Sequence, residues 1–151
     1  MIEEIVEAIE LVRQQVEYDV VAAGLGIPCM IDQQTGVALG AVNLPITNLP
    51  VRELVQERIG IPVFVDNDAN FATLAEHQFG AAQGFDHAVL LTVGTGIGGG
   101  LVINGEIYRG STGAGPELGH MILDLEGPPC HERCPLHGKS CGCFEMFVSG
   151  P

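Results

Sequence analysis

A chain of 151 residues is long enough for one ordinary domain or two small lobes around a buried core. Its 46% hydrophobic and 17% charged content is that of a folded globular protein and excludes a disordered segment. The formal charge of −13, with six Lys and Arg against nineteen Asp and Glu, argues against a nucleic-acid partner, since that binding depends on basic side chains neutralising phosphates.

In chain order, Ile2, Ile5, Val6, Ile9, Val12 and Val16 recur at helical spacing, with Glu3, Glu4, Glu7 and Glu10 on the wet side. Val20 to Gly26 is a short apolar run ending in glycines, the pattern of a buried strand. Residues 28 to 45 predict a strand or two, interrupted by a turn at Gln33-Gln34-Thr35-Gly36. Pro50 stands just ahead of a second helix, Val51 to Ile59, which Gly60 stops. Ile61 to Val65 predicts a strand, and Asp66-Asn67-Asp68 opens a third helix whose apolar stripe is Phe71, Leu74, Ala75 and Phe79. His87 to Val93 and Gly100 to Ile103 predict a strand pair around a glycine turn, followed by a hairpin signal at Asn104-Gly105. From Gly110 to Gly142 the chain is rich in glycine and proline and has little periodicity, so something other than a core must fix it. A last helix begins near Phe144. The pattern is α/β, with a lobe break near residues 82–86: residues 1–83 form the latter part of one lobe, and 84–151 begin the next.

Three constellations carry chemistry. Asp68, in Asn67-Asp68-Ala69-Asn70, lies where a strand hands over to a helix, the place where ligand sites gather in open α/β sheets. A carboxylate there can accept a hydroxyl proton, although a helix cap is the plainer reading of an isolated Asp at this position. The run Gly94-Thr95-Gly96-Ile97-Gly98-Gly99-Gly100 clears side chains from the backbone and lets amides meet an anion, with the Thr95 hydroxyl adding a donor. It is neither a Walker-type loop nor a dinucleotide fingerprint, because a strand follows it.

The third constellation is metal-like. Of five cysteines, four fall between 130 and 143. Such crowding, in a chain whose acidic start Met1-Ile2-Glu3-Glu4 lacks a secretory signal, predicts metal ligation ahead of disulfides and a cytoplasmic location. Zinc takes four S or N ligands, and His120, Cys130, Cys134 and Cys143 would complete a shell, with Cys141, His131 and His137 as spare candidates. Cys29 stands alone in an apolar stretch and reads as core. Glu117 and Glu145 bracket the cluster, and carboxylates of this kind accept hydrogen bonds from sugar hydroxyls. No apolar run approaches the roughly 18–20 residues that span a bilayer.

Taken together, the order of Asn67-Asp68-Ala69-Asn70, Gly94-Thr95-Gly96-Ile97-Gly98-Gly99, Gly110 and Gly113 leading to Glu117-Leu118-Gly119-His120, and Cys143-Phe144-Glu145 resembles the ROK family of bacterial sugar kinases and sugar-responsive repressors. Asn43-Leu44-Pro45 fits it as well. The resemblance implies an actin-like, ribonuclease-H-like ATPase fold with sugar in a cleft between two lobes. It implies that Asp68 is the general base for ATP-dependent phosphorylation of a hexose, glucose first among them, at the 6-hydroxyl. Asn67, Asp68, Glu117, His120 and Glu145 would bind the sugar. The turn Gly94, Thr95, Gly96, Ile97 and Gly98 would cradle ATP phosphate with Mg²⁺.

By the same resemblance His120, Cys130, Cys134 and Cys143 would hold a structural Zn²⁺, with Cys141 the rival for one place. A homodimer or homotetramer would be the assembly. Two departures from the family pattern are Pro116, where glycine is usual, and an insertion with an extra cysteine between Cys134 and Cys143. The family's first phosphate-binding turn would precede residue 1 and its adenosine segment would follow residue 151. The chain is therefore expected to be incomplete at both ends and inactive by itself. A sugar-sensing repressor of the same family is the alternative, and a zinc-stabilised interaction module a third reading; the intact Asn67 to Asn70 motif and full glycine turn favour the enzyme.

Overall fold

The computed structural model describes residues 1–40, 44–113, 115–129 and 142–149. By contacts the chain divides into two compact units, Met1–Asp68 and Ala69–Pro151.

The first unit begins with α1, Ile2–Gln15. Ile2, Ile5, Val6 and Ile9 pack against the unit's core, but Val12 and Val16 at the far end of the predicted stripe are exposed. The apolar spacing runs one turn beyond the neighbour that covers it. Arg13 closes this end differently: its guanidinium donates to Glu10 (2.9 Å) and to the Ile59 carbonyl (3.0 Å). That carbonyl ends α2, Val51–Ile59, which follows Pro50 and stops at Gly60 as its sequence predicts. Gly60 takes φ 69° and returns its N–H to the Gln56 carbonyl, a left-handed cap that disfavours any side chain.

Strand β1, Ala23–Ile27, pairs in parallel with β5, Val63–Asn67, in a two-stranded sheet. β1 is only partly buried, and Val21 before it is 77% exposed. The expected buried strand is therefore only partly covered, with Ile27 its one buried residue. β5 starts and ends two residues later than the pattern predicts, so Asn67 is its last residue and not a helical one. The register places Ile27 beside Asn67, which brings the carboxyl ends of both strands level. A second sheet joins β2, Met30–Asp32, to β3, Val37–Gly40, and β3 to β4, Thr47–Leu49. The turn at 33–36 falls where it is expected. Ile31, Ala38, Val51 and Val55 are fully buried at the centre of this unit's core. Removing each such Val or Ile from water contributes about 1.5–3 kcal/mol.

In the second unit β6, Ala88–Val93, β7, Ile97–Ile103, and β8, Glu106–Ile107, form an antiparallel sheet. Asn104 (φ 53°) and Gly105 (φ 79°) supply the two positive φ values of a type I′ hairpin turn between β7 and β8. The predicted glycine turn proves shorter than its glycine run. Gly94-Thr95-Gly96 makes the turn, whereas Gly98, Gly99 and Gly100 are residues of β7.

Helix α3, Asp68–Phe79, explains why those strand positions are glycine. The predicted stripe of Phe71, Leu74, Ala75 and Phe79 is not its buried face, and Phe79 is 87% exposed. The buried residues are Ala69, Asn70 and Thr73. A Cβ on Gly100 would run into the Thr73 hydroxyl and stand 2.8 Å from Thr73 Cβ, and one on Gly98 would lie 3.5 Å from Ala69 Cβ. Small residues on both elements allow the approach, and large apolar residues on α3 are turned away from it. Gly100→Ala should therefore destabilise the protein by about 1–3 kcal/mol in urea unfolding, and adding Thr73→Ala should recover only part of that loss. An unchanged midpoint for Gly100→Ala would refute this packing.

Candidate functional site

The predicted site residues that the structure describes fall in both units. In the first, Asn67 ends β5 and Asp68, solvent-exposed, is the first residue of α3. The Asn67 amide donates to Asp66 Oδ1 (2.8 Å), and its side-chain Nδ2 reaches the Cys29 carbonyl (3.5 Å). The Cys29 thiol is pushed above its ordinary value, first by burial and then by the negative charge of Asp68. Cys29 is thus core, as read, but core close enough to Asp68 to feel its charge.

In the second unit the glycine turn, the Glu-Leu-Gly-His tetrad and Glu145 converge on the start of β7. Glu145 opens α4, Glu145–Val148, and its Oε2 accepts the Ile97 N–H at 2.7 Å across 48 positions of sequence. The Ile97 amide, one of the donors expected to face phosphate, is therefore already held by a carboxylate. A Cβ on Gly96 would lie 2.8 Å from the same oxygen. Gly94 and Thr95 form the exposed corner of the turn.

Leu118–His120 is a single 3₁₀ turn against β7, and the Glu117 carbonyl accepts the His120 N–H (3.0 Å). The middle of the tetrad is packing. Leu118 Cδ1 lies 2.6 Å from where Gly99 would carry a Cβ, and a Cβ on Gly119 would strike the Ile97 carbonyl. Its two ends differ: Glu117 is exposed, and the Nδ1 of His120 is buried.

Of the expected metal ligands, His120 and Cys143 are described, while Cys130, Cys134, Cys141, His131 and His137 lie outside the described residues, as does Asn43. Among the described residues no group of three or more His, Cys, Asp or Glu is placed to hold a metal ion. The two that are described lie on neighbouring stretches of backbone. Ile122 bridges to Cys143, and the Phe144 N–H donates to the Met121 carbonyl (2.8 Å), so the backbone leaving His120 runs beside Cys143. Cys143 is 1% exposed, a suitable environment for a structural thiolate ligand. The flanks of residues 130–141 are also drawn together. The Gly142 N–H donates to the Pro128 carbonyl (3.1 Å), and the Gly142 carbonyl accepts from Leu123 (2.9 Å) and Asp124 (3.2 Å).

By sequence Gln33 is a turn residue and Asp66 a helix opener, but Asp66 is 5% exposed and Gln33 Nε2 donates to its Oδ1 at 2.9 Å. Their meeting spans 33 positions and has no local signal; the only hint was a carboxylate continuing an apolar strand.

The fold and these clusters describe a mixed α/β segment with a glycine turn braced by a glutamate beside a Glu-Leu-Gly-His turn. Residues 1–151 match the ROK family model throughout, and the chain belongs to the ROK family. It is 42% identical over 127 residues to a glucokinase of Thermotoga maritima, covering 83% of this chain and 38% of that protein. It is 34% identical over 130 residues to a xylose repressor of Caldicellulosiruptor bescii, covering 86% and 31%. The structure of a ROK family glucokinase from Streptomyces griseus in complex with glucose and AMPPNP superposes with a TM-score of 0.77 at 36% identity, covering 97% of this chain and 46% of that one. The chain thus spans less than half the length of these relatives. Among the described residues no helix is long and apolar enough to cross a membrane.

The Glu145–Ile97 bond makes a prediction of its own. Glu145→Ala would leave the Ile97 amide without its acceptor in a residue only 6% exposed, so unfolding should become about 1–3 kcal/mol easier. Were Glu145 a ligand residue alone, the denaturant midpoint would not move.

Proposed function

We propose that the protein containing this chain is an ATP-dependent hexose kinase, with glucose as the first substrate to test. The observation that carries the reading is the placement of Asp68, an exposed carboxylate at the carboxyl end of a parallel strand and the first turn of a helix, inside an intact Asn67 to Asn70 motif. The Streptomyces griseus relative, whose structure holds glucose and a nucleotide analogue, supports it. The fold of the whole protein is then the actin-like ATPase fold in two lobes, with the break near residues 82–86, and the assembly a homodimer or homotetramer.

In the proposed reaction Asp68 accepts the proton of the sugar 6-hydroxyl as that oxygen attacks the γ-phosphorus of ATP; the bond to the bridging oxygen breaks and ADP leaves. Asn67, Glu117, His120 and Glu145 would hold the other hydroxyls. The run Gly94 to Gly98 would receive phosphate through groups other than the Ile97 amide, which Glu145 holds, and Mg²⁺ would offset the charge on ATP. Asp68→Asn should lower kcat by roughly 10²–10⁴-fold in a coupled phosphorylation assay on the parent protein, with hexose affinity little changed. Phosphorylation at the wild-type rate by that variant would remove Asp68 from the chemistry.

His120, Cys130, Cys134 and Cys143 would hold zinc, with Cys141 the alternative for one thiolate, and the ion would fix the ring of His120 rather than react. Elemental analysis of the purified parent protein should find about one zinc per chain. Cys143→Ser should lose it, and a variant that keeps its zinc would exclude Cys143 from the shell.

The repressor relatives supply a second reading, a sugar sensor that retains the hexose residues without phosphotransfer. The same assay separates the two, because a sensor binds hexose and consumes no ATP.

A further inference from the structure

Asp66 is the only charged residue found buried among the described residues. Taking a carboxylate out of water is costly unless hydrogen bonds replace the water. Asp66 follows the buried Val63 and Val65 in β5 and precedes its last residue, Asn67. Asp66 Oδ1 accepts two hydrogen bonds, from Gln33 Nε2 (2.9 Å) and from the backbone N–H of Asn67 (2.8 Å). One atom thus ties a distant turn to the backbone immediately ahead of Asp68.

The turn that delivers Gln33 is itself held from two sides. Asp32 Oδ1 accepts the Gln34 N–H (2.9 Å) and the Thr35 N–H (3.4 Å). From α2, Arg52 donates through Nη2 to the Gln33 carbonyl and through Nη1 to the Gln34 carbonyl, both at 3.0 Å. Its own N–H meets the Gly36 carbonyl (3.3 Å). A forked guanidinium across two successive carbonyls fixes direction as well as position. Gln33 is therefore presented by a braced turn, and its side chain reaches a carboxylate that nothing in its own hairpin requires. Asn67 has a second restraint in its Nδ2 contact to the Cys29 carbonyl.

We propose that Gln33 and Asp66 are positioning residues: their hydrogen bond fixes the backbone at Asn67 and so the direction in which Asp68 presents its carboxylate. Neither touches reacting atoms; they act through Asn67. The inference rests on the reading of Asp68 as the base. Supporting shells of this kind matter because reacting groups misplaced by about 1 Å can lose about 10²-fold in rate.

The test uses the whole parent protein. Gln33→Leu removes the donor and keeps the bulk; Gln33→Asn keeps an amide that is one methylene too short to reach, and serves if the first variant does not fold. Asp66→Asn keeps an oxygen acceptor and is the conservative control. The expected result is a kcat lower by roughly 10–100-fold in either Gln33 variant, with KM for ATP unchanged. Exchange of the Asn67 amide hydrogen should be at least about tenfold faster, and Asp66→Asn should fall between these variants and wild type. A Gln33 variant with wild-type kcat overturns the proposal. So does one whose kcat falls while the Asn67 amide exchanges as slowly as before, because the effect would then not pass through that backbone. A wild-type parent that binds hexose without phosphorylating it defeats the kinase reading alone. The pair is then judged by hexose affinity, which either Gln33 variant must weaken about tenfold or the proposal falls.

Discussion

Three glycines in a row on β7 let two other pieces of chain lie closer to a sheet than any side chain would permit. From the α3 direction come Ala69 and Thr73, and from the later loop comes Leu118, its Cδ1 occupying the space a Gly99 Cβ would fill. The start of the same strand meets Gly119 and, through the Ile97 amide, the carboxylate of Glu145. Interiors are packed densely enough that one added methyl is felt. The second unit's arrangement thus depends on the absence of side chains at Gly98, Gly99 and Gly100.

This constraint gives several motif residues two roles. Glu145 can offer a carboxylate to a ligand, but it also accepts the Ile97 N–H at the mouth of the turn. Leu118 and Gly119 set the tetrad against β7, and that leaves Glu117 exposed at one end and His120 at the other with its Nδ1 buried. Gly142, whose amide and carbonyl both bond back to the stretch 123–128, holds Cys143 at the edge of that arrangement before Glu145 begins α4. Residues that mark a family signature are in this way also the residues that make the backbone turn.

In the first unit the corresponding corner is built by direction rather than by close approach. Parallel pairing of β1 with β5 brings two carboxyl ends together, so Cys29 and the Asn67-Asp68 pair emerge on the same edge. The braced turn at 33–36 then supplies Gln33 from a separate sheet. The carboxylate of Asp66 becomes tolerable in the interior only because those donors reach it.

Much of this was legible locally. Pro50 and Gly60 bound α2 because their restrictions on φ act on the residues themselves, and Asn104-Gly105 makes its hairpin for the same reason. The order of the Asn67 to Asn70 motif, the glycine run and the Glu-Leu-Gly-His tetrad sufficed to reach the family. Which face of α3 is buried was not legible, because hydrophobicity alone favours Phe71, Leu74 and Phe79, and only contact with a glycine strand selects Ala69, Asn70 and Thr73. The Glu145–Ile97 and Gln33–Asp66 bonds were hidden for a related reason: they join positions 48 and 33 residues apart, and no short-range pattern encodes a hydrogen bond across that distance. Sequence by itself determined where the chain must turn, cap and leave room for close approach. Tertiary structure decided which groups meet there, since pairing depends on the path of the whole backbone and not on any residue's own preference.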